Sequence, residues 1–223
     1  MKLTIGESTY ILPQSYKDIS LKKFKEVQEF IDVHPISKFF LEDEGAYTEE
    51  ELINYYIDFV SIACDIPKKL LMYLPTHEAD GVTIQNIFTS LTWLFIMPDN
   101  TQPEPASKLI GYHFIDNSGL MRNNTLLEYT EANSIVKALN GVQRDYKYLN
   151  LLLAIFYRPK KGFFKRKIID YDSEEVQSRS KEFDSVDMQT VFNCLFFFMK
   201  SKKDYLKNIE GYLAEELERA AKL

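Results

Sequence analysis

The densest concentration of binding side chains runs from Arg158 to Lys167. Arg158, Lys160, Lys161, Lys165, Arg166 and Lys167 fall within ten residues, with Phe163 and Phe164 between them. Cations interleaved with rings can hold a phosphate backbone while the rings stack on bases. They can equally meet an acidic protein surface, with the rings as anchors. A solvated loop is the third reading, because Pro159 and Gly162 break regular structure and Asp170, Asp172, Glu174 and Glu175 follow closely enough to neutralise the run. The formal net charge of −6 weighs against a general nucleic-acid field.

Other reactive residue types are present without the spacing that chemistry requires. His34, His77 and His113 have no nucleophile-and-orienter pattern around them. His113 reads as a half-buried strand residue, and His34 and His77 as exposed residues beside loops. Cys64 and Cys194 stand far apart in apolar stretches and read as core thiols rather than a disulfide framework or a zinc site. The acidic runs Glu42-Asp43-Glu44 and Glu49-Glu50-Glu51 do not match a calcium loop, and they suit a solvated loop leading into a helix N-terminus. The 8 glycines are not grouped into a phosphate-binding loop. The expectation is a non-enzymatic protein with no cofactor and no bound metal.

The elements that must carry these residues are mostly helices. Thr4, Ile5, Thr9, Tyr10 and Ile11 suggest short N-terminal strands turning at Gly6. Ser20 caps a first helix carrying Phe24, Val27, Phe30 and Ile31 on one face, stopped by Pro35. Thr48 and Glu51 form a capping box for a second helix running to about Cys64, and Pro67 opens a short third one that Pro75 closes. A fourth helix is expected over 82–96, with Ile84, Ile87, Phe88, Leu91, Leu94 and Phe95 in its stripe.

Pro98, Pro103 and Pro105 mark 97–106 as an internal joint. Beyond it, 109–115 reads as a strand that turns at Asn117-Ser118-Gly119 and returns at Leu120-Met121, a small hairpin over about 107–122. Thr125 and Glu128 suggest a second capping box, followed by Leu126, Leu127, Tyr129, Ala132, Ile135, Val136 and Leu139 as the apolar side of a helix. Further helices are expected over 144–157, ended by Pro159, over 186–199, and over 203–221, with 173–182 a polar helix or loop. The last helix places Tyr205 and Tyr212 on its stripe.

The expected fold class is therefore mainly α: a bundle-like single domain spanning 1–223. It comprises a helical half over 13–96, a small β-hairpin, and a second helical half over 125–223, with short N-terminal strands. The Leu195–Met199 run is too short to span a bilayer and the N-terminus has no signal-like apolar core, so no membrane role is expected.

Several stretches carry a family resemblance. Leu12-Pro13-Gln14-Ser15-Tyr16-Lys17-Asp18-Ile19-Ser20-Leu21-Lys22-Lys23-Phe24 resembles the start of helical tail and virion-assembly proteins of tailed phages of Bacteroidetes-type hosts. Thr125-Leu126-Leu127-Glu128-Tyr129 resembles a mid-chain helix start of the same proteins. Ala154-Ile155-Phe156-Tyr157-Arg158-Pro159 is similar to their Tyr-Arg-Pro helix end, and Asn193-Cys194-Leu195-Phe196-Phe197-Phe198 to their late Phe-rich helix. The resemblance implies a structural subunit or assembly chaperone in the virion or host cytoplasm. It brings no catalytic residues. Its partners would be other phage structural proteins, or a second copy of the chain. The partner-binding surface expected on this reading comprises Arg158, Lys160, Lys161, Phe163, Phe164, Lys165, Arg166, Lys167, Tyr205 and Tyr212. The alternative is a nucleic-acid-associated accessory protein using the same basic segment.

Overall fold

The computed structural model describes residues 1–36, 48–75, 81–96, 98, 109–115, 126–139, 145–161, 167–168 and 170–203. These residues are mainly helical, with two small antiparallel sheets. The chain divides into two compact units, Met1–Asp99 and Asn100–Leu223, and the division falls inside the proline-rich stretch 97–106.

The first unit opens on a hairpin. β1 (Lys2–Ile5) pairs antiparallel with β2 (Ser8–Ile11), with Leu3 opposite Tyr10. Gly6 holds φ 60 in the two-residue turn, a backbone state that strains any residue with a Cβ. α1 (Leu21–Val33) begins where Ser20 accepts a bond from the Lys23 amide, and it buries Leu21, Phe24 and Val27. α2 (Glu49–Cys64) has the expected capping box: the Thr48 amide donates to Glu51 at 2.7 Å and the Glu51 amide to Thr48 at 3.2 Å. Its first turn holds Glu49, Glu50 and Glu51, where carboxylates favour the positive helix pole. α2 ends at Asp65, which takes the left-handed conformation at φ 54, and α3 (Lys68–Leu71) follows Pro67.

α4 (Ile84–Ser90) is shorter than its apolar pattern suggests. Thr83 caps it, but after Leu91 the chain tightens into a 3-10 turn over Thr92–Phe95. The hydroxyls explain the change. Ser90 donates to the Ile87 carbonyl at 2.7 Å and Thr92 to the Thr89 carbonyl at 2.9 Å, competing for acceptors that a continuing α-helix uses. The stripe still packs inward. Phe88 stacks on Tyr56 with centroids 4.2 Å apart, Phe95 stacks on Phe59 at 5.0 Å, and Phe59, Ile87 and Leu91 are fully buried.

In the second unit, β3 (Tyr112–Phe114), β4 (Tyr157–Lys161) and β5 (Lys167–Ile168) form a three-stranded sheet in that order. Two expectations change here. β3 pairs with β4, 43 residues further on by register (Phe114 opposite Tyr157), and the return strand expected at Leu120-Met121 lies outside the described residues. The helix expected over 144–157 does end before Pro159, but a strand follows it at once. α6 (Leu149–Phe156) stops before it, and Pro159 sits within β4 opposite Tyr112. The ladder bonds Ile115 N to Phe156 O and Lys160 N to Gly111 O fall on the alternate pairs, so the missing proline N–H forfeits no bond to β3.

α5 (Leu126–Leu139), α7 (Ser173–Arg179, capped by Asp172) and α8 (188–203) surround the almost wholly apolar α6. Asp187 caps α8, accepting from the Thr190 amide at 2.9 Å. Phe156, Tyr157, Phe183, Phe192 and Phe198 are fully buried around α6, each contributing about 1.5–3 kcal/mol of apolar transfer. Cys64 and Cys194 are both buried and unpaired, one in each unit, as expected of core thiols.

Candidate functional site

The basic segment is rooted in the second unit's core rather than carried on a free loop. β4 emerges directly from α6, whose residues Leu152 to Phe156 are buried, and Tyr157 at its start is fully buried too. Arg158 is 9% exposed, and its guanidinium pairs with Glu128, which is completely buried. Arg158 therefore leaves the expected exposed surface. An unpaired guanidinium is too costly to bury, so the side chain lies inward only because Glu128 meets it. Burial pulls the Arg158 pKa below its ordinary value, partly offset by Asp170, and the group stays protonated.

Two residues beyond Arg158, Lys160 is exposed. The ladder then pairs Lys160 with Ile168 and Lys161 with Lys167, closing a ribbon around the five residues 162–166. Like charges at paired positions disfavour strand pairing in general, and this register sets two lysine positions against each other. Phe163, Phe164, Lys165 and Arg166 lie outside the described residues, as do Tyr205 and Tyr212.

Around the root lies a set of polar contacts absent from the sequence expectations. Arg179, 8% exposed, donates to the Ala154 carbonyl at 2.6 Å. Tyr171 and Ser173 both donate to Glu131, and the Arg158 guanidinium lies 6.0 Å from the Tyr171 ring centroid. Tyr112 donates to Glu182; burial first, and then that carboxylate, push its hydroxyl up to about 12. One signal for this network was readable. Glu128 stands four, seven, eight and eleven residues before Ala132, Ile135, Val136 and Leu139, which places a carboxylate on the apolar stripe. The structure turns the helix accordingly, with Glu128 inside and Leu127, assigned to the apolar side, 52% exposed. The Glu128 carboxylate thus meets Arg158, while the Thr125 half of the suggested capping box lies outside the described residues.

His34 is exposed at the end of α1 and His113 is half-buried in β3; His77 and Glu42-Asp43-Glu44 lie outside the described residues. Among the described residues, no group of His, Cys, Asp and Glu is placed to hold a metal ion, and no helix is long and apolar enough to cross a membrane. Compared with known proteins, the chain matches no family model, and no curated protein or solved structure is significantly similar to it.

Proposed function

We propose that this chain is a non-enzymatic virion or tail-assembly protein of a tailed phage, acting through protein–protein contacts as a structural subunit or assembly chaperone. The observation that carries the reading is the β4–β5 ribbon. Its root is held by the buried Arg158–Glu128 pair, Lys160 stands exposed just beyond, and Lys161 and Lys167 are paired directly in register. A rigidly rooted, cationic ribbon suits an acidic protein surface, because less freedom is lost when the partner docks. The motif resemblance in the helix starts and the Phe-rich helix supplies the phage context.

Mass spectrometry of purified virions, set against infected-cell lysate, tests that context. A structural subunit is expected in the particle, an assembly chaperone in the lysate alone, and absence from both contradicts the reading. Charge reversal at Lys160, Lys161 and Lys167 is expected to weaken capture of purified tail or neck proteins at least tenfold. An electrophoretic shift assay separates the nucleic-acid alternative. Tight binding that collapses between low and high salt, with no protein capture, favours that alternative.

A further inference from the structure

The first unit contains a groove that none of the preceding chemistry uses. It runs along α1 from Lys23 to His34, beside Ser61 and Ile62 of α2, with a volume of about 460 Å³, which is within the roughly 300–1,000 Å³ usual for binding clefts. Phe30, Val33 and Ile62 give it an apolar lining, and Val33 is 60% exposed. Phe30 is fixed from behind by Tyr55 and Phe59, with ring centroids 5.2 and 6.3 Å away, so the lining is backed by the unit's aromatic core.

The charge at the rim is negative. Lys23 lines the groove, but its ammonium is held by Glu26 at 2.7 Å and by Asp65 at 2.6 Å. Glu29 is exposed at the rim. The last turn of α1 contains no Lys or Arg, with His34 at its C-cap, so the negative pole of that helix adds to the carboxylates. The lining therefore fits apolar side chains accompanied by cations.

The two units differ in charge in the same sense. Residues 1–99 contain eight Lys and Arg against sixteen Asp and Glu, a net −8. Residues 100–223 contain nineteen against seventeen, a net +2. The strongest cationic run of the second unit has two phenylalanines beside its cations: Phe163-Phe164-Lys165-Arg166, held between the register partners Lys161 and Lys167.

We propose that the α1–α2 groove of one copy takes the Phe163-Phe164-Lys165-Arg166 segment of a second copy, so that the chain associates head to tail. The rings fill the Phe30, Val33 and Ile62 lining, and the cations meet Glu29 and the end of α1. Groove and segment are different patches, so the contact is heterologous, and repetition gives a ring or a filament according to the rotation per copy. This deepens the protein-contact reading above by naming a partner, and it rests on that reading.

Sedimentation velocity of the full chain over a wide concentration range, at about 0.05 M and about 0.5 M salt, tests the proposal. Association that grows with concentration and weakens in high salt is expected. Two variants separate the surfaces. Val33→Arg with Glu29→Lys blocks the groove at two exposed positions, and Lys165→Glu with Arg166→Glu reverses the segment; circular dichroism checks that both are folded. Each alone is expected to associate at least tenfold more weakly than the native chain. An equimolar mixture is expected to recover a one-to-one complex, because each variant retains the surface the other lacks. A native chain that stays a single copy throughout overturns the proposal. So do variants that associate like the native chain, and a mixture that fails to pair. A single-copy chain that still captures tail or neck proteins removes self-association while leaving the protein-contact function in place. Self-association without such capture does the reverse.

Discussion

Glu128 and Arg158 show how one pair of residues can determine where a whole segment points. The Glu128 carboxylate has no exposed surface, and the cation that meets it lies thirty residues on, at the root of β4. Glu128→Gln or Arg158→Met leaves one buried charge without its partner, so either is expected to destabilise the protein by about 3–5 kcal/mol in urea unfolding. Replacing both with apolar residues of similar size is expected to cost much less than the sum, and a double-mutant cycle measures the difference. The cysteines make a second test at this scale. Burial pushes the Cys64 thiol up to about 12 and raises that of Cys194 as well. A disulfide reagent at neutral pH is therefore expected to modify neither until denaturant is added, because the thiolate is the reactive form.

At the scale of elements, the caps and the aromatic packing of the first unit carry separable contributions. Thr48→Ala removes one arm of the α2 capping box and is expected to lower stability by about 1 kcal/mol. Phe59→Ala empties a position stacked on Phe95 and packed edge-on against Phe88, and is expected to lower it by about 3–5 kcal/mol. Both can be read from denaturant midpoints. The buried hydroxyls and thiol predict an alkaline limit. The folded-state values of Tyr55, Tyr112 and Cys64 are each raised to about 12, by burial above all, so folding favours their protonated forms. Their stabilisation is complete below the unfolded values, about 8.5 for Cys and 10 for Tyr. It is lost as pH rises towards 12. Thermal midpoints are accordingly expected to fall progressively from about pH 9 upward; a flat profile to pH 12 contradicts the burial of these groups.

At the scale of the whole chain, the net charge of −6 conceals an uneven distribution. The acidic first unit and the slightly basic second unit carry opposite signs, which is what the proposed head-to-tail association uses. Charge of this kind sets association rate and salt dependence more than it sets final affinity. The on-rate of self-association is accordingly expected to fall more steeply with salt than the off-rate rises, which stopped-flow mixing of labelled copies can measure.

The sequence by itself determined the mainly helical class, the Ser20 and Thr48 caps, the N-terminal hairpin turn at Gly6 and the core placement of both cysteines. Each of these depends on residues a few positions apart, where backbone geometry alone decides the outcome. Only the tertiary structure decided that Glu128 and not Leu127 faces inward, that β3 pairs with a strand beyond two intervening helices, that Pro159 belongs to that strand, and that Arg158 is a buried anchor and not a surface contact. In those cases the partner lies thirty or more residues away, and local periodicity does not encode which distant charge or strand will arrive to satisfy a buried group.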